Sequence, residues 1–539
     1  MNLPYSEYLN IALFLFSSVI LFLFAVDSLG KELLDLATES FRKIVSKLAK
    51  NRLSGALIGA ISTAIVQSST AITTVVMTLV NTGIISFHQS LAIIFGSSIG
   101  TTLTAQLALL SSTPIAPIFL IVGFFSKFFP KKFRLASKPI FLMGFVLFSL
   151  NLLTISIEPL RSNQAFLSAF SSLSSPFLAY IISCFFTVLV HSSSVTSGII
   201  VVLAAQGVIS LDIAIPMILG ANLGTAVSSL MVTADYSLFA KRAGFANFVF
   251  KAVGSLFFLL FVDEFSLLLT MITSNLGQQA ALGHLLFNTI NTLVFLLLLD
   301  PFESLINKLL PGTEEEVLFQ TKYIEVGESK KLSESFNDIK KEIGHSIENT
   351  IRIYKKALTL YYNPSQKIAI ELKKYETLND YLDDEITKAL LSTTETRLPR
   401  KLAKASILYI KISNTIEQLG DLGSDFSKVF IRMHTLDVSP DEIPIGKLTE
   451  IFNMLIDLFK SIEVQINNPK ESELLAIKLK EEEIYGIIND EFNIHVRKLQ
   501  ESQAYHGNIF VDAISIIELS VSKVREIRKL LLKYVREFN

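Results

Sequence analysis

The sequence predicts an all-α protein, with a polytopic membrane part, residues 1–312, followed by a soluble helical bundle, residues 330–539. Charge is the first observation behind this prediction: the first 300 residues carry 15 basic and 11 acidic side chains, whereas the rest carry 33 and 38. No charged side chain lies between Arg52 and Lys127. That stretch far exceeds the roughly 20 apolar residues that cross a bilayer, so it must cross several times. Beyond the membrane part, apolar residues recur at helical spacing, which is the second observation.

The membrane part begins with a predicted span at about 9–29. The following segment, 31–52, has six basic residues among periodic apolar ones, which is typical of a helix lying on the cytoplasmic surface. Further apolar blocks cover 53–126, 139–157, 177–233, 243–262 and 281–299. Residues 313–329 are rich in glutamate and form a predicted acidic linker to the soluble bundle.

Basic residues outside the apolar blocks indicate which loops face the cytoplasm. Besides 31–52, basic clusters occur at 127–138 and at Lys241, Arg242 and Lys251. Cytoplasmic loops carry an excess of lysine and arginine, so all three clusters are assigned to the cytoplasm.

An internal repeat joins two of the apolar blocks. Residues 67–105 align without gaps on residues 191–229, and the identities include several serines and glycines. This register indicates a duplication, with copies at about 53–110 and 177–234. The basic clusters place the start of the first copy on the cytoplasmic side of the membrane and the start of the second copy on the outer side. The sequence therefore predicts inverted-topology repeats, the architecture of secondary transporters.

Each copy carries a polar motif, here called the QSST motif (67–70) and the HSSS motif (191–194), and a later glycine-rich segment (96–102 and 220–225). An isolated serine or glycine usually serves helix packing. Four-residue clusters at equivalent positions instead favour a re-entrant hairpin or broken helix around a midplane cavity. Hydroxyls donate to anion oxygens and offer lone pairs to Na⁺. Because neither motif contains Lys or Arg, the charge that neutralises an anion is expected to arrive with the cargo.

These motifs resemble the duplicated QSSS and G-x-N-x-G-T signatures of type II sodium-dependent phosphate cotransporters of the bacterial branch. The resemblance covers about 50–300 and implies sodium-coupled uptake of inorganic phosphate across the cytoplasmic (inner) membrane. It places phosphate and sodium on the following residues: Gln67, Ser68, Ser69, Thr70, Ser98, Thr101, Thr102, His191, Ser192, Ser193, Ser194, Asn222 and Thr225.

The chain departs from the family pattern at several positions. His191 stands where the family has Gln, Ser98 where it has Asn, and Ala226 where it has Thr. The family's later H-x-x-F-N pattern is kept at 284–288, whereas the upstream counterpart at 247–251 has Asn, Phe and Lys. A neutral imidazole that replaces the Gln amide is the favoured interpretation of His191, and a proton-coupling histidine stays open.

The soluble part resembles a PhoU-like domain, which implies a regulatory unit in the cytoplasm. Its segment 414–425 is close to that family's E-x-x-x-D-x-x-x-N pattern, and the spacing of four places the acidic residues on one helix face. A divalent metal site and an ordinary solvated helix face both fit this pattern. The candidate metal ligands, on this helix and a neighbouring one, are Glu376, Asp380, Asp383, Glu417, Asp421 and Asp425.

Other classes of protein fit the sequence poorly. The single Cys184 excludes a disulfide framework, the balanced charge argues against nucleic-acid binding, and no nucleophile–base arrangement indicates an enzyme. No cofactor is expected for transport beyond the coupling Na⁺, and the expected partners are phosphate, Na⁺ and membrane lipid, with a homodimer left open. Two alternatives remain: transport of another oxyanion, with proton coupling among its variants, and a non-transporting phosphate sensor.

Overall fold

The computed structural model describes residues 5–48, 51–110, 114–162, 175–312, 314–324, 332–395, 400–436, 445–501 and 507–538. These residues form helices, turns and coil, and none of them lies in a strand. The chain divides into two compact units, Met1–Glu316 and Val317–Asn539, here called the membrane unit and the soluble unit. The division falls within the segment 313–329.

The membrane unit has thirteen described α-helices and a short 3-10 helix at Glu158–Ser162. They are α1 (Tyr5–Leu48), α2 (Arg52–Val66), α3 (Ser69–Asn81), α4 (Phe87–Ala108), α5 (Ile115–Ser126), α6 (Lys131–Ile157), α7 (Pro176–Val190), α8 (Ser193–Ala205), α9 (Leu211–Val232), α10 (Leu238–Leu260), α11 (Val262–Ile272), α12 (Leu276–Leu297) and α13 (Leu299–Leu309).

Six of these helices are long and apolar enough to cross a bilayer, and the chain is a multi-pass membrane protein. The six candidate spans are Leu9–Leu36, Phe87–Ala108, Arg134–Arg161, Leu211–Val232, Leu238–Leu260 and Leu276–Leu297. The helices α2, α3, α7 and α8 are apolar but shorter. They form two pairs, each interrupted at one of the polar motifs.

The first helix differs from the sequence prediction. α1 runs without a break from Tyr5 to Leu48, so the division into a span at 9–29 and a separate surface helix at 31–52 is wrong. No proline interrupts this stretch, and Asp27 and Lys31 form an ion pair at 2.7 Å across the predicted boundary. Opposite charges four residues apart support a continuous helix.

Helices break at both polar motifs, as the residue pattern predicts. α2 ends at Gln67, which has φ 58° and ψ 21°, and α7 ends at His191, which has φ 56° and ψ 20°. Few residues other than glycine adopt this left-handed conformation, and one such residue ends a helix sharply. The two motifs therefore have the same backbone geometry.

The repeated helices also pack in the same way. α4 packs on α2 and α9 packs on α7. A Cβ atom at Gly96 would lie 1.9 Å from the carbonyl oxygen of Ala56, and one at Gly220 would lie 2.1 Å from that of Tyr180. Both partners sit the same number of residues before their glycine, so the local packing matches in the two copies. Their inverted orientation in the membrane stays a prediction.

The soluble unit is a helical bundle with one hydrophobic core. Its helices are α14 (Leu332–Tyr362), α15 (Gln366–Glu395), α16 (Arg400–Thr435), α17 (Ile445–Asn467), α18 (Glu471–Glu501) and α19 (Gly507–Phe538). Tyr354 packs against Phe426 and Phe459 in the centre of this core. Arg528 donates two hydrogen bonds to the buried Glu481, at 2.7 and 2.9 Å, and ties α19 to α18.

The acidic segment between the units is partly built into each of them. In the membrane unit, Glu314 accepts the backbone N–H of Leu238 at 3.0 Å, and Glu316 accepts that of Phe87 at 2.6 Å. These N–H groups begin α10 and α4, where the helix dipole favours a carboxylate. In the soluble unit, Val317 belongs to the hydrophobic core.

Candidate functional site

The two polar motifs line one cavity in the membrane unit. The cavity has a volume of about 650 Å³, and its wall includes Gln67, Ser68 and Thr70 of the QSST motif. His191 and Ser192 of the HSSS motif lie in the same wall. Residues from both copies of the repeat therefore face one cavity, which is the arrangement expected of a midplane binding site.

Helix α1 supplies a further part of the cavity wall. Asp27, Gly30 and Lys31 all line the cavity, and the largely exposed side chains of Asp27 and Lys31 form an ion pair at 2.7 Å. Sequence reasoning missed these residues because it assigned Lys31 to a surface helix. The signal that could have found them is an aspartate–lysine pair at four-residue spacing beside a glycine in an apolar helix.

The serines at the two helix breaks cap the helices that follow. Ser68 accepts the N–H of Ala71 at 3.2 Å, and Ser192 accepts the N–H of Val195 at 3.3 Å. A capping serine has non-helical backbone angles and satisfies one free N–H of the first turn. The N-termini of α3 and α8 consequently begin beside the cavity, where their partial positive charge favours an anion.

The residues at the two helix breaks make equivalent hydrogen bonds. The Gln67 side-chain oxygen accepts the Thr104 hydroxyl at 2.8 Å, and Nδ1 of His191 lies 3.0 Å from the Ser228 hydroxyl. Thr104 and Ser228 occupy the same position in the two copies. His191 thus makes the bond that the Gln67 amide makes in the first copy, and the neutral state of its imidazole stays a prediction.

Replacing His191 with glutamine is expected to keep the helix break, the Ser228 bond and at least about half of the transport rate, because Gln67 fills the equivalent position. His191→Ala is expected to lose most transport, since it leaves the Ser228 hydroxyl without its partner. Uptake measured at pH 6 and pH 8 checks both variants. A pH dependence present in the native chain and absent from His191→Gln would contradict the neutral-imidazole interpretation.

The remaining predicted site residues form a buried layer outside the cavity wall. They are Ser69, Ser98, Thr101, Thr102, Ser193, Ser194, Asn222 and Thr225. Ser194 donates its hydroxyl to the Gln67 carbonyl at 3.4 Å and so connects the two copies directly. The Ser98 hydroxyl is buried and has no hydrogen-bond partner among the described residues. The Thr101 and Thr102 hydroxyls instead bond to carbonyls of their own helix, which is the usual packing role.

Lys251 lies in a different environment from the one that the sequence predicts. It was assigned to a cytoplasmic cluster, yet it lies in the middle of α10 with 4% of its surface exposed. Its ammonium donates to the Thr225 hydroxyl at 2.9 Å, so a cation does lie beside the polar segments. The expectation that all neutralising charge arrives with the cargo therefore loses its premise that no basic side chain lies near the polar segments, and the source of that charge stays a prediction.

Comparison with known proteins identifies the family that the membrane unit resembles. The model of a family described as Na⁺/Pi-cotransporter matches residues 21–155 and 161–283. The membrane unit belongs to the Na⁺/Pi-cotransporter family. This is a family of transporters and not of enzymes, and the match covers both polar motifs, the cavity wall from Leu23 onward and Lys251.

Relatives of this Na⁺/Pi-cotransporter family member include bacterial and animal proteins. "Uncharacterized protein YqeW" of Bacillus subtilis (strain 168) is 28% identical over 245 residues, which are 44% of this chain and 79% of that protein. "Putative inorganic phosphate export protein YjbB" of Escherichia coli (strain K12) is 28% identical over 204 residues, 37% of each chain. "Sodium-dependent phosphate transport protein 2B" of Homo sapiens is 36% identical over 98 residues, 17% of this chain and 14% of that protein. No solved structure matches the chain significantly.

The soluble unit of this Na⁺/Pi-cotransporter family member brings together some of the predicted metal ligands. Carboxylate oxygens of Glu376, Asp380 and Asp421 lie within 4.8 Å of one another. Two of the other candidates have protein partners, since Asp383 accepts the Asn414 amide at 2.6 Å and Asp425 pairs with Lys428 at 2.7 Å. The last candidate, Glu417, interacts with the cluster electrostatically.

The carboxylates in this cluster disfavour one another's charge. Partial burial, followed by repulsion from Asp421 and Asp380, raises the pKa of Glu417 to about 7. Burial and repulsion from Glu376 and Asp421 raise the pKa of Asp380 to about 6. The pKa of Asp421 is raised for the same reasons. A bound cation would relieve this repulsion.

Replacing Glu417 with glutamine is expected to raise the melting temperature of the soluble unit at pH 8 and to leave it unchanged near pH 4. A carboxyl whose pKa is higher in the folded protein than in the unfolded chain binds more protons when folded. The stability that the protonated Glu417 carboxyl contributes is therefore lost as the pH rises through its folded pKa of about 7. Thermal unfolding from pH 4 to pH 8 in metal-free buffer checks this, with the exposed Glu483→Gln as control. A gain of equal size at both pH values would contradict the explanation.

Proposed function

We propose that this protein is a sodium-coupled symporter that carries inorganic phosphate across the cytoplasmic membrane into the cell. The observation that carries the proposal is the meeting of the QSST and HSSS motifs at one cavity, in a membrane unit of the Na⁺/Pi-cotransporter family. The name of the human relative, which refers to sodium-dependent phosphate transport, supports both the cargo and the coupling ion.

The chemistry of the motifs suits both ions. Serine and threonine hydroxyls donate to phosphate oxygens and offer lone pairs to Na⁺. The N-termini of α3 and α8 each contribute only about half a positive charge, so a phosphate dianion needs further cations. An uncompensated anion at membrane depth is very costly, and Na⁺ bound to the same oxygens lowers that cost. Phosphate and sodium are therefore expected to raise each other's affinity by equal factors.

Uptake of labelled phosphate into proteoliposomes tests the proposal. An inward sodium gradient is expected to drive accumulation that choline in place of sodium does not. Competition by sulfate and arsenate, and a proton gradient without sodium, distinguish transport of another oxyanion and proton coupling. Phosphate binding without transport under any gradient would favour the sensor and contradict the symporter.

Export is the second candidate direction, because the E. coli relative carries the name of a phosphate export protein. Coupling to inward sodium favours import, whereas export needs a different driving force or a phosphate gradient directed outward. Vesicles loaded with phosphate and diluted into phosphate-free medium measure efflux directly. Efflux faster than influx at equal and opposite gradients, without sodium on either side, would support export.

The soluble unit is proposed to be a regulatory PhoU-like domain in the cytoplasm whose Glu376, Asp380 and Asp421 hold a divalent cation. Three converging carboxylates form the hard oxygen donor set that Mg²⁺, Ca²⁺ or Mn²⁺ prefers. Isothermal titration of the full chain with each cation, with Asp421→Asn as the comparison, tests the site. Protease access in vesicles of known orientation tests the location.

A further inference from the structure

Lys251 is a cation buried in a candidate membrane span. It lies in α10, in the span Leu238–Leu260, and 4% of its surface is exposed. Lys241, near the start of the helix, is separated from it by about 15 Å of helix, roughly half the thickness of the hydrocarbon core. An ionisable residue at this depth is costly and is a functional candidate by default.

The ammonium of Lys251 has a polar partner but no counter-ion. It donates to the Thr225 hydroxyl at 2.9 Å, and that hydroxyl donates in turn to the Asn222 carbonyl at 2.9 Å. Within the described ranges, no carboxylate forms an ion pair with Lys251. An ammonium has three donors, so this group keeps both charge and hydrogen-bonding capacity for another ligand.

Unpaired polar groups accompany the lysine. His284 is fully buried and interacts electrostatically with Lys251, and neither of its ring nitrogens has a partner among the described residues. Asn247, one helical turn before Lys251, is also buried. Both of its side-chain polar atoms lack a hydrogen-bond partner among the residues that the structure describes. Buried polar groups in native proteins nearly always have partners, so such a group calls for a specific explanation. An ammonium, an amide N–H and an imidazole N–H are all donors, which suits an anion.

We propose that Lys251 supplies one of the positive charges that neutralise the transported phosphate, in place of one coupling sodium ion. This inference rests on the proposed phosphate transport. At the matching position of the second H-x-x-F-N pattern the chain has Asn288, whose amide oxygen can ligate a cation without carrying a charge itself. At 251 the ammonium takes the place of such a cation, and because it belongs to the protein it does not leave with the cargo.

The experiment counts sodium ions and charges per phosphate in proteoliposomes that contain the full chain. Phosphate influx is measured as a function of sodium concentration, and the charge moved per phosphate is obtained from the reversal potential. The native chain is compared with Lys251→Asn, which restores the family residue, with Lys251→Met, which removes charge and polarity, and with Lys251→Arg, which keeps the charge. Thermal unfolding of each purified variant precedes transport, and Lys251→Gln replaces any neutral variant that does not fold.

Lys251→Asn is expected to require about one additional sodium ion and to move about one more elementary charge per phosphate. Lys251→Met should lower phosphate influx at least tenfold at equal phosphate, whereas Lys251→Arg should keep the native charge ratio. A native charge ratio and sodium dependence in Lys251→Asn would overturn the inference, since a purely structural lysine leaves both unchanged. Absence of phosphate transport by the native chain would instead contradict the proposed function.

Discussion

Replacing Gly96 or Gly220 with alanine is expected to abolish accumulation of folded protein in the membrane. The added Cβ atom would lie 1.9 Å from the Ala56 carbonyl oxygen in the first copy and 2.1 Å from the Tyr180 carbonyl oxygen in the second. These contacts are with backbone, so no rotation of a side chain can relieve them. The helix pairs α2–α4 and α7–α9 would have to separate.

The cost of that separation is large compared with the stability of a protein. Small residues let membrane helices pack closely, and overpacking a well-packed site typically costs about 1–3 kcal/mol even where side chains can move. We expect more than about 3 kcal/mol here, because the obstacle is backbone. Expression of a fluorescent fusion, followed by size-exclusion chromatography in detergent, measures the folded fraction.

Gly30→Ala is the matched control for this prediction. It adds the same methyl group to a helix of the membrane unit, where the closest atoms would be the Val66 carbonyl oxygen at 3.5 Å and the Ser68 Cβ at 3.7 Å. Both are ordinary contacts, so Gly30→Ala should fold like the native chain. A native elution profile and melting temperature for Gly96→Ala would show that α2 and α4 are not packed as described.

Features that depend on local sequence were predicted correctly. A cluster of hydroxyl residues in an apolar stretch indicated an interrupted helix, and both helices end at the first residue of the motif, Gln67 or His191. Short polar side chains supply the caps that such a break requires, so the signal lies in the residues themselves. The constant offset between the copies also extends to the packing of Gly96 and Gly220.

Features that depend on depth in the membrane or on helix rotation were not predicted correctly. The positive-inside rule counts charges along the chain, and it grouped Lys251 with Lys241 although a helix carries them to different depths. Lys31 was likewise assigned to the surface because counting charges ignores the spacing of Asp27 and Lys31, which favours a continuous helix, and does not show which side chains line a cavity.

The acidic cluster shows the same limit. A spacing of four residues places side chains on one face of a helix, but only the packed structure decides which of them meet the neighbouring helix. Asp421 meets Glu376 and Asp380, whereas Asp425 turns to Lys428. Three of the six predicted ligands therefore converge, and their binding of a metal stays a prediction.

Replacing both Ser69 and Ser193 with alanine is expected to leave the protein folded and to abolish phosphate transport. These serines are the first residues of α3 and α8, and they are 4% and 2% exposed. Neither hydroxyl forms a hydrogen bond with any residue that the structure describes. Their removal therefore breaks no contact within the protein, unlike removal of the capping hydroxyls of Ser68 and Ser192.

The loss of function follows from what those hydroxyls are free to bind. A hydrogen bond to a charged group is worth about 1.5–3 kcal/mol, which corresponds to roughly 10- to 100-fold in affinity for each serine. Ser69 and Ser193 occupy equivalent positions directly after the cavity-lining Ser68 and Ser192. We therefore expect their hydroxyls to contact the same phosphate and sodium ions, so the double variant should lose more than either single one. Ser149→Ala is the matched control, because that buried hydroxyl bonds only to the Phe145 and Val146 carbonyls of its own helix. Phosphate binding and uptake, measured with thermal unfolding of each purified variant, check the prediction. Native uptake by the double variant would remove both serines from the site and would leave the cavity-facing residues Gln67, Thr70 and His191 as the ion ligands to test next.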